Sequence, residues 1–382
     1  MPPPKPSLDL LRALTDEHVL RALMQERRLT RAELAVHTGI SKPTVSESVR
    51  RLAEVGLLSD TGERTTGRGR IGSYYALSAD VGCALVVSIA PEGVVAESLD
   101  AYGDVIARTD RAVQRPARPA QVARALKAAA RAAAGAAQAP IRLAVVSAAD
   151  PVDRTTGRLV HLPDAPFLVG EVSPVEVLNG VVDGPVLVDN DVNWAALAER
   201  ESADGEGATA LQLDDFAYLF LGEGLGCAVV SDGDVRRGST GIAGEIAHLL
   251  TVGARGRAVH FIDIFDELGL RRAGSTAIDV DALLKTLQRK DSRGRAVREA
   301  LANAISGVLA AIVALTDPRL IVIGGTWGAM PSVLDSVGAA FEMLPRHVAI
   351  QAASVTVEPS LVGARQQALR DLRAEIVLST HS

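Results

Sequence analysis

The thirty residues from Leu29 to Leu58, LTRAELAVHTGISKPTVSESVRRLAEVGLL, restrict the chain more than any other stretch. They read as two short helices joined by a tight turn. Thr30 and Glu33 stand at the spacing of a capping box, in which each side chain satisfies an amide at a helix start. Gly39 falls at a helix end, where glycine takes a left-handed conformation cheaply. Ser41 then opens a second helix, with Pro43 in the first turn, where its missing N–H costs little. Val45, Val49 and Leu52 recur at helical spacing, so one face of that helix is buried. The other face carries Lys42, Thr44, Ser46 and Arg50, all able to bond phosphates or base edges.

A helix-turn-helix needs this layout, with one helix on the DNA backbone and the second leading into the major groove. Leu57–Ser59 and Tyr74–Leu77 read as short strands around TGERTTGRGRIG. That makes a β-wing whose tip offers Arg64, Arg68 and Arg70, and arginine is drawn to the negative potential of a narrow minor groove. The expected DNA contacts are Thr30, Arg31, Ser41, Lys42, Thr44, Ser46 and Arg50, with Arg68 and Arg70 from the wing. Glu47 is unusual on such a helix and is expected to face the partner helix or to reject some sequences.

Charge follows this division. Residues 1–75 hold 12 Lys and Arg against 9 Asp and Glu, or +3, and the rest hold 28 against 37, or −9, for a net −6. A basic reader on an acidic body suits a site-specific DNA binder better than a general nucleic-acid coat. Two cysteines, Cys83 and Cys227, cannot make a disulfide framework or a cysteine-rich zinc site. No run of about 18 uncharged apolar residues and no signal-peptide pattern is seen, so no membrane association and a cytoplasmic location are expected.

Ahead of the reader, Ser7–Leu14 and Asp16–Glu26 read as two supporting helices. After it, strands are expected at Ala84–Ala90, Val94–Leu99 and Val105–Thr109, a meander, then a helix over Pro119–Ala137 and strands at Ile141–Ser147 and Pro185–Val188. The second half repeats the scheme. Strands are expected at Phe216–Leu221, Cys227–Ser231, Leu320–Ile323 and Val355–Val357, and helices over Val259–Leu268, Val280–Gln288, Arg295–Leu315 and Ala364–Leu378. Alternating strands and helices indicate an α/β body. The expected organisation is a winged helix-turn-helix over residues 1–77, then a two-lobed, actin-like (ribonuclease H-like) α/β body over 78–382.

Four motifs follow in order: VLVDNDVNWAALAE (186–199), FLGEGLGCAVV (220–230), GSTGIAGEIAHL (238–249) and DPRLIVIGG (317–325). With the winged reader, their order and spacing resemble the ROK family of sugar kinases and sugar-responsive transcriptional repressors. The resemblance covers nearly the whole chain. It implies a sugar site at Asn190, Asp191, Glu245 and His248, with Asp263 near a sugar-contacting glutamate of the family. In the family's kinases the residue matching Asp191 deprotonates the hydroxyl to be phosphorylated. It also implies a homodimer or tetramer on a palindromic operator, with a small sugar effector.

Several departures favour a regulator over a kinase. The first phosphate loop aligns either with Asp80–Ala84 or, preferably, with Ser88–Ala90, and is damaged on both alignments. The second, Gly222–Gly226, carries Glu223, whose carboxylate would repel a polyphosphate by about 1–4 kcal/mol in partly wet surroundings. The family's cysteine-rich zinc loop is replaced by residues 253–263, which hold no cysteine; His248 and His260 cannot complete a tetrahedral site, so neither metal nor cofactor is expected. Asp150 stands where the family has glycine, an extra carboxylate beside the cleft, and Ala247 replaces the glycine of the Glu-x-Gly-His motif. Gly324-Gly325 resembles a nucleotide-side turn, although a tight strand-to-helix connection would explain it equally. The expected function is a repressor controlled by a sugar in a degenerate kinase cleft, without enzymatic activity. The alternatives are a sugar kinase, or a regulator whose body only dimerises.

Overall fold

The structure is a computed structural model that describes residues 8–66, 71–162, 167–168, 170–205 and 213–381. The chain begins with α1 (Leu8–Glu26), β1 (Arg28–Thr30), α2 (Arg31–Thr38), α3 (Lys42–Glu54), β2 (Leu58–Arg64) and β3 (Ser73–Leu77). The two supporting helices expected before the reader are one continuous helix. Thr15, which lies between the two expected helices, continues it, and its hydroxyl donates to the Leu11 carbonyl. Leu11 and Leu14 stay exposed, and the buried stripe of α1 starts at Val19. The three strands form one antiparallel sheet in the order β1-β3-β2.

The first lobe holds β4 (Cys83–Ala90), β5 (Gly93–Leu99), β6 (Val105–Arg111), α4 (Pro119–Ala136), β7 (Ile141–Ala148), α5 (Pro174–Leu178), β8 (Val186–Asn190) and α6 (Asp191–Gly205). The second holds β9 (Phe216–Leu221), β10 (Leu225–Ser231), β11 (Asp234–Val235), β12 (Leu250–Val252), β13 (Ala258–His260), α7 (Asp263–Glu267), α8 (Val280–Leu287), α9 (Ser292–Thr316), β14 (Leu320–Gly324), α10 (Pro331–Glu342), β15 (Ala349–Ala352) and α11 (Pro359–Leu378). The main sheets run β6-β5-β4-β7-β8 and β11-β10-β9-β14-β15. Both therefore carry the same order, with an antiparallel meander followed by two parallel strands. This is the duplicated, actin-like body expected from the sequence.

In the body, two further expectations fail. Residues 259–268 split into β13 and the short helix α7, because Thr251 and Val259 pair across a small hairpin. The late strand is β15, which pairs with β14, while residues 355–357 lie outside any strand and the Val355 amide donates to Glu199 instead.

Strand β4 shows why apolar runs fill both sheet faces. Leu85, Val87 and Ile89 pack under α4, while Ala84 and Val86 pack under α11. Successive side chains point to opposite faces, so a strand covered on both sides reads as unbroken apolar sequence. The second lobe repeats this, with Leu219 and Ile321 facing α9 and α10, and Tyr218 and Val322 facing α6. Helix α9 is long and apolar enough to cross a membrane. Its Leu301, Ile305, Val308 and Leu309 instead fill the second lobe's core.

The lobes exchange helices. Helix α6 follows the last strand of the first lobe, yet packs on β9 and β10 of the second; α11 follows the last strand of the second lobe, yet packs on β4 and β7 of the first. The two helices cross where Gly363 meets Trp194. A Cβ on Gly363 would lie 2.0 Å from the Trp194 carbonyl oxygen, so only glycine fits. Arg365 fixes α11 to the first lobe through two bonds to Glu97, at 2.6 and 2.8 Å.

The reader is clamped to the first lobe. Its core and part of that lobe's core form one continuous apolar cluster through α1 and α11. Arg373 donates to the carbonyls of Met24 and Ala101 at 3.2 and 2.9 Å. Arg27 pairs with Asp104, and the Leu77 amide donates to the Tyr102 hydroxyl at 3.1 Å.

Candidate functional site

In the reader, the capping box forms as the sequence implies. The Glu33 amide donates to Thr30 Oγ1 at 3.2 Å, and the Thr30 amide donates to Glu33 Oε2 at 2.8 Å. Thr30 is therefore a buried cap, 4% exposed, and leaves the set of DNA contacts. Arg31 lies with its guanidinium 4.9 Å from the Tyr75 ring, stacked on the wing sheet. Gly39 takes φ +69°, which ends α2. Val45, Val49 and Leu52 are buried, and Ser48 and Arg51 hold the buried Asp16 of α1.

The outer face of α3 presents Ser41, Lys42 and Thr44 exposed, with Ser46 half-buried. Ser41 Oγ caps the helix and lies 2.7 Å from Thr44 Oγ1. Arg50 is exposed but already paired, with Glu47 at 2.6 Å and Glu54 at 2.8 Å. Glu47 is exposed. It holds Arg50, and its carboxyl is kept below the usual range by that guanidinium. Exposed ion pairs are weak, so Arg50 can exchange these partners for phosphate. The wing strands are present and Arg64 pairs with Asp60, whereas Arg68 and Arg70 lie outside the described residues.

Between the lobes lies a cavity of about 430 Å³. It is walled by two hairpin tips, Ala90–Glu92 between β4 and β5 and Glu223–Gly224 between β9 and β10. This puts the Ser88–Ala90 end of β4 at the cleft, while Asp80–Gly82 lies at the strand's other end. Asn190, Asp191, Glu245 and His248 all line the cavity.

Their roles differ. The Asn190 side chain is spent on the backbone, since it accepts from the Val192 amide at 3.0 Å and donates to the carbonyls of Ala148 and Asp150 at 3.4 and 3.3 Å. It caps α6 and so positions the Asp191 carboxyl. Burial first, then the charges of Asp150, Glu245 and Glu92, push the Asp191 carboxyl up to about 7. Burial does the same to Glu245, to about 7, with His248 working against it. The His248 ring meets His260 edge-on at 5.8 Å. Asp263 is not among the lining residues; Arg271 at 2.9 Å and His260 at 3.2 Å hold its carboxylate, so it leaves the sugar-contact set.

The sequence reading missed three charged lining side chains, Glu92, Arg115 and Arg272. Arg115 comes from the first lobe and pairs with Glu223 of the second, and Arg272 approaches the same carboxylate at 3.8 Å. Glu223 is therefore screened, and the repulsion of a polyphosphate expected from it is smaller than a bare carboxylate would give. Nothing local marks Arg115, which stands 108 residues from its partner. Gly324 and Gly325 pack flush on Tyr218 and Leu221, where added Cβ atoms would lie 2.2 and 2.3 Å from the Tyr218 hydroxyl and the Leu221 carbonyl, so tight packing accounts for both. A larger cavity of about 560 Å³ lies off the cleft, and there Arg237 pairs with Asp189 and Arg200 with Asp214. Its charges are largely matched, whereas the cleft holds carboxyls that are not.

A duplicated, sugar-kinase-like body with a cleft between its lobes, carrying a winged helix-turn-helix, defines the class of molecule. The ROK family profile matches residues 99–368, and a winged helix-turn-helix DNA-binding profile matches residues 12–59. The chain belongs to the ROK family. N-acetylmannosamine kinase of Escherichia fergusonii is 27% identical over 218 residues, covering 54% of this chain and 69% of the kinase. Among solved structures, a ROK family transcriptional regulator, a homologue of the E. coli MLC protein, covers 97% of this chain and 99% of its own, at 17% identity and a TM-score of 0.61. A ROK family glucokinase from Streptomyces griseus, in complex with glucose and AMPPNP, covers 76% of this chain and 100% of its own, at 22% identity and a TM-score of 0.55. At these identities the structural likeness concerns the fold.

Proposed function

We propose that this protein is a cytoplasmic transcriptional repressor, a homodimer on a palindromic operator, whose cleft takes a sugar or sugar derivative and transfers no phosphate. Residues 1–77 act as reader and 78–382 as effector and dimerisation body. One observation carries the reading. Both hairpin tips that would face a nucleotide's phosphates present a carboxylate, Glu92 and Glu223, while the sugar side keeps Asp191, Glu245 and His248. Ser41, Lys42, Thr44, Ser46 and Arg50 meet the major groove, with Arg31 behind them and Arg68 and Arg70 reaching for the minor groove. A sugar that favours one lobe arrangement shifts the population of readers able to span both half-sites.

Asp191 itself favours a second reading. A carboxyl near 7 at the position of the family's catalytic base suits proton abstraction, and screening of Glu223 by Arg115 weakens the objection to ATP. Calorimetry against pooled sugars, with ATP as a separate titrant, separates the two. Heat from a sugar with silence from ATP, abolished by Asp191→Ala and His248→Ala, supports the sensor. ATP binding with turnover of a hexose establishes the kinase instead. Silence from every compound leaves a body that only dimerises.

A further inference from the structure

The cleft carries more negative charge than a neutral sugar needs. Asp150 is 2% exposed, lines the cavity, and its Oδ2 has no hydrogen-bond partner. Asp191 and Glu245 line the same cavity, and each is coupled to Asp150 electrostatically. Burial first, and to a lesser extent Glu245, pushes Asp150 up to about 7, with a hydrogen bond from the Leu168 backbone working against it. The two guanidiniums in the cavity, Arg115 and Arg272, both sit on Glu223, which leaves neither for the carboxyls of Asp150, Asp191 and Glu245. A metal ion does not resolve this, because among the described residues no three His, Cys, Asp or Glu side chains stand close enough to hold one.

We propose that the cleft selects a cationic sugar, one bearing a protonated amine, and that Asp150 is the group that confers the preference. This rests on the sensor reading above and narrows its ligand. An ammonium brings a positive charge and three donors to a place that holds an unpartnered buried acceptor and two more carboxyls. Hydrogen bonds between charged partners are roughly twice as strong as neutral ones. A hydroxyl at the same carbon would satisfy one oxygen and leave the charges uncompensated. An N-acetylated amine would bring bulk and no charge.

The test is calorimetry of the full chain at pH 7.5 with matched triplets, each an amino sugar, its hydroxyl parent and its N-acetyl derivative, in the gluco, manno and galacto series. At least one amine should bind about tenfold or more tighter than both of its relatives. In Asp150→Asn and Asp150→Gly the amine should lose that margin and bind about as its parent does. Both variants remove a buried charge, and their melting temperatures report folding independently. If a hydroxyl or N-acetyl sugar binds as well as its amine, the charge preference is overturned while the sensor reading stands. A preference that survives both substitutions overturns the role of Asp150. If no member of any triplet binds, the sensor reading and this proposal fall together.

Discussion

Replacing Asp150 with asparagine should stabilise the protein, and by more at high pH than at low. Burial holds the folded carboxyl near 7, against an ordinary 3.8. Between those values the folded protein keeps a proton that the unfolded chain has released, so stability falls as pH rises. Each tenfold in an ionisation constant is about 1.36 kcal/mol, which makes the cost of Asp150 about 1.6 kcal/mol at pH 5 and about 4 kcal/mol at pH 8. Asparagine has no such term. Whatever the amide gains or loses in local bonding is the same at both pH values, so the change in the difference is the informative quantity, about 2.5 kcal/mol. Relief of Asp191, whose carboxyl the Asp150 charge also raises, adds to it in the same direction. For a chain of this length that corresponds to roughly 3 °C in melting temperature. Thermal melts of both proteins at pH 5 and pH 8, in buffers of matched ionic strength, measure it directly. A gap between parent and variant that stays the same at the two pH values would refute the reasoning, because it would mean that Asp150 is not a desolvated carboxyl.

Gly363→Ala should destabilise the protein by about 1–3 kcal/mol or more, since its new methyl meets the Trp194 carbonyl at the helix crossing; a melt no lower than the parent's would show that the crossing can open without cost. Arg365→Met leaves the buried Glu97 with only Arg108, so a loss of about 3 kcal/mol is expected, with partial recovery when Glu97→Gln is added; chemical denaturation reads both. Lys42→Ala should weaken binding to random-sequence duplex DNA and reduce the slope of log affinity against log salt by about 1, and an unchanged slope would remove Lys42 from the phosphate contacts. Asp263→Ala, by contrast, should leave sugar binding unaltered, because its carboxylate is held by Arg271 and His260 outside the cavity lining.

Local chemistry made the reader readable. A cap, a glycine break and a buried stripe all act within a few residues, and Thr30, Glu33, Gly39 and Ser41 do what their types and spacing imply. The same locality misled where one residue can serve two ends. Thr30 has a hydroxyl that can cap a helix or bond a phosphate, and burial chose the first. The main strands were legible because sheets covered on both faces need unbroken apolar runs. The small hairpin at Thr251 and Val259 and the edge strand β15 were not, since short exposed strands have no such run. In the cleft, Asn190, Asp191, Glu245 and His248 meet because two loops converge from different lobes, and only the resemblance brought them together from sequence. The pairing of Arg115 with Glu223 spans the lobes, and no spacing rule reaches that far.

The clamp between reader and first lobe turns the body into a lever. Arg373, Arg27 and Tyr102 tie the reader to the lobe on which α11 lies, and among the described residues no hydrogen bond or ion pair joins it to the second lobe. Any closing of the lobes on each other would therefore carry the reader with the first. Were two copies joined through their second lobes, a few degrees of closure in each cleft would add up at the far ends of the arms. The separation of the two recognition helices would then register what the clefts contain, with no rearrangement inside either reader.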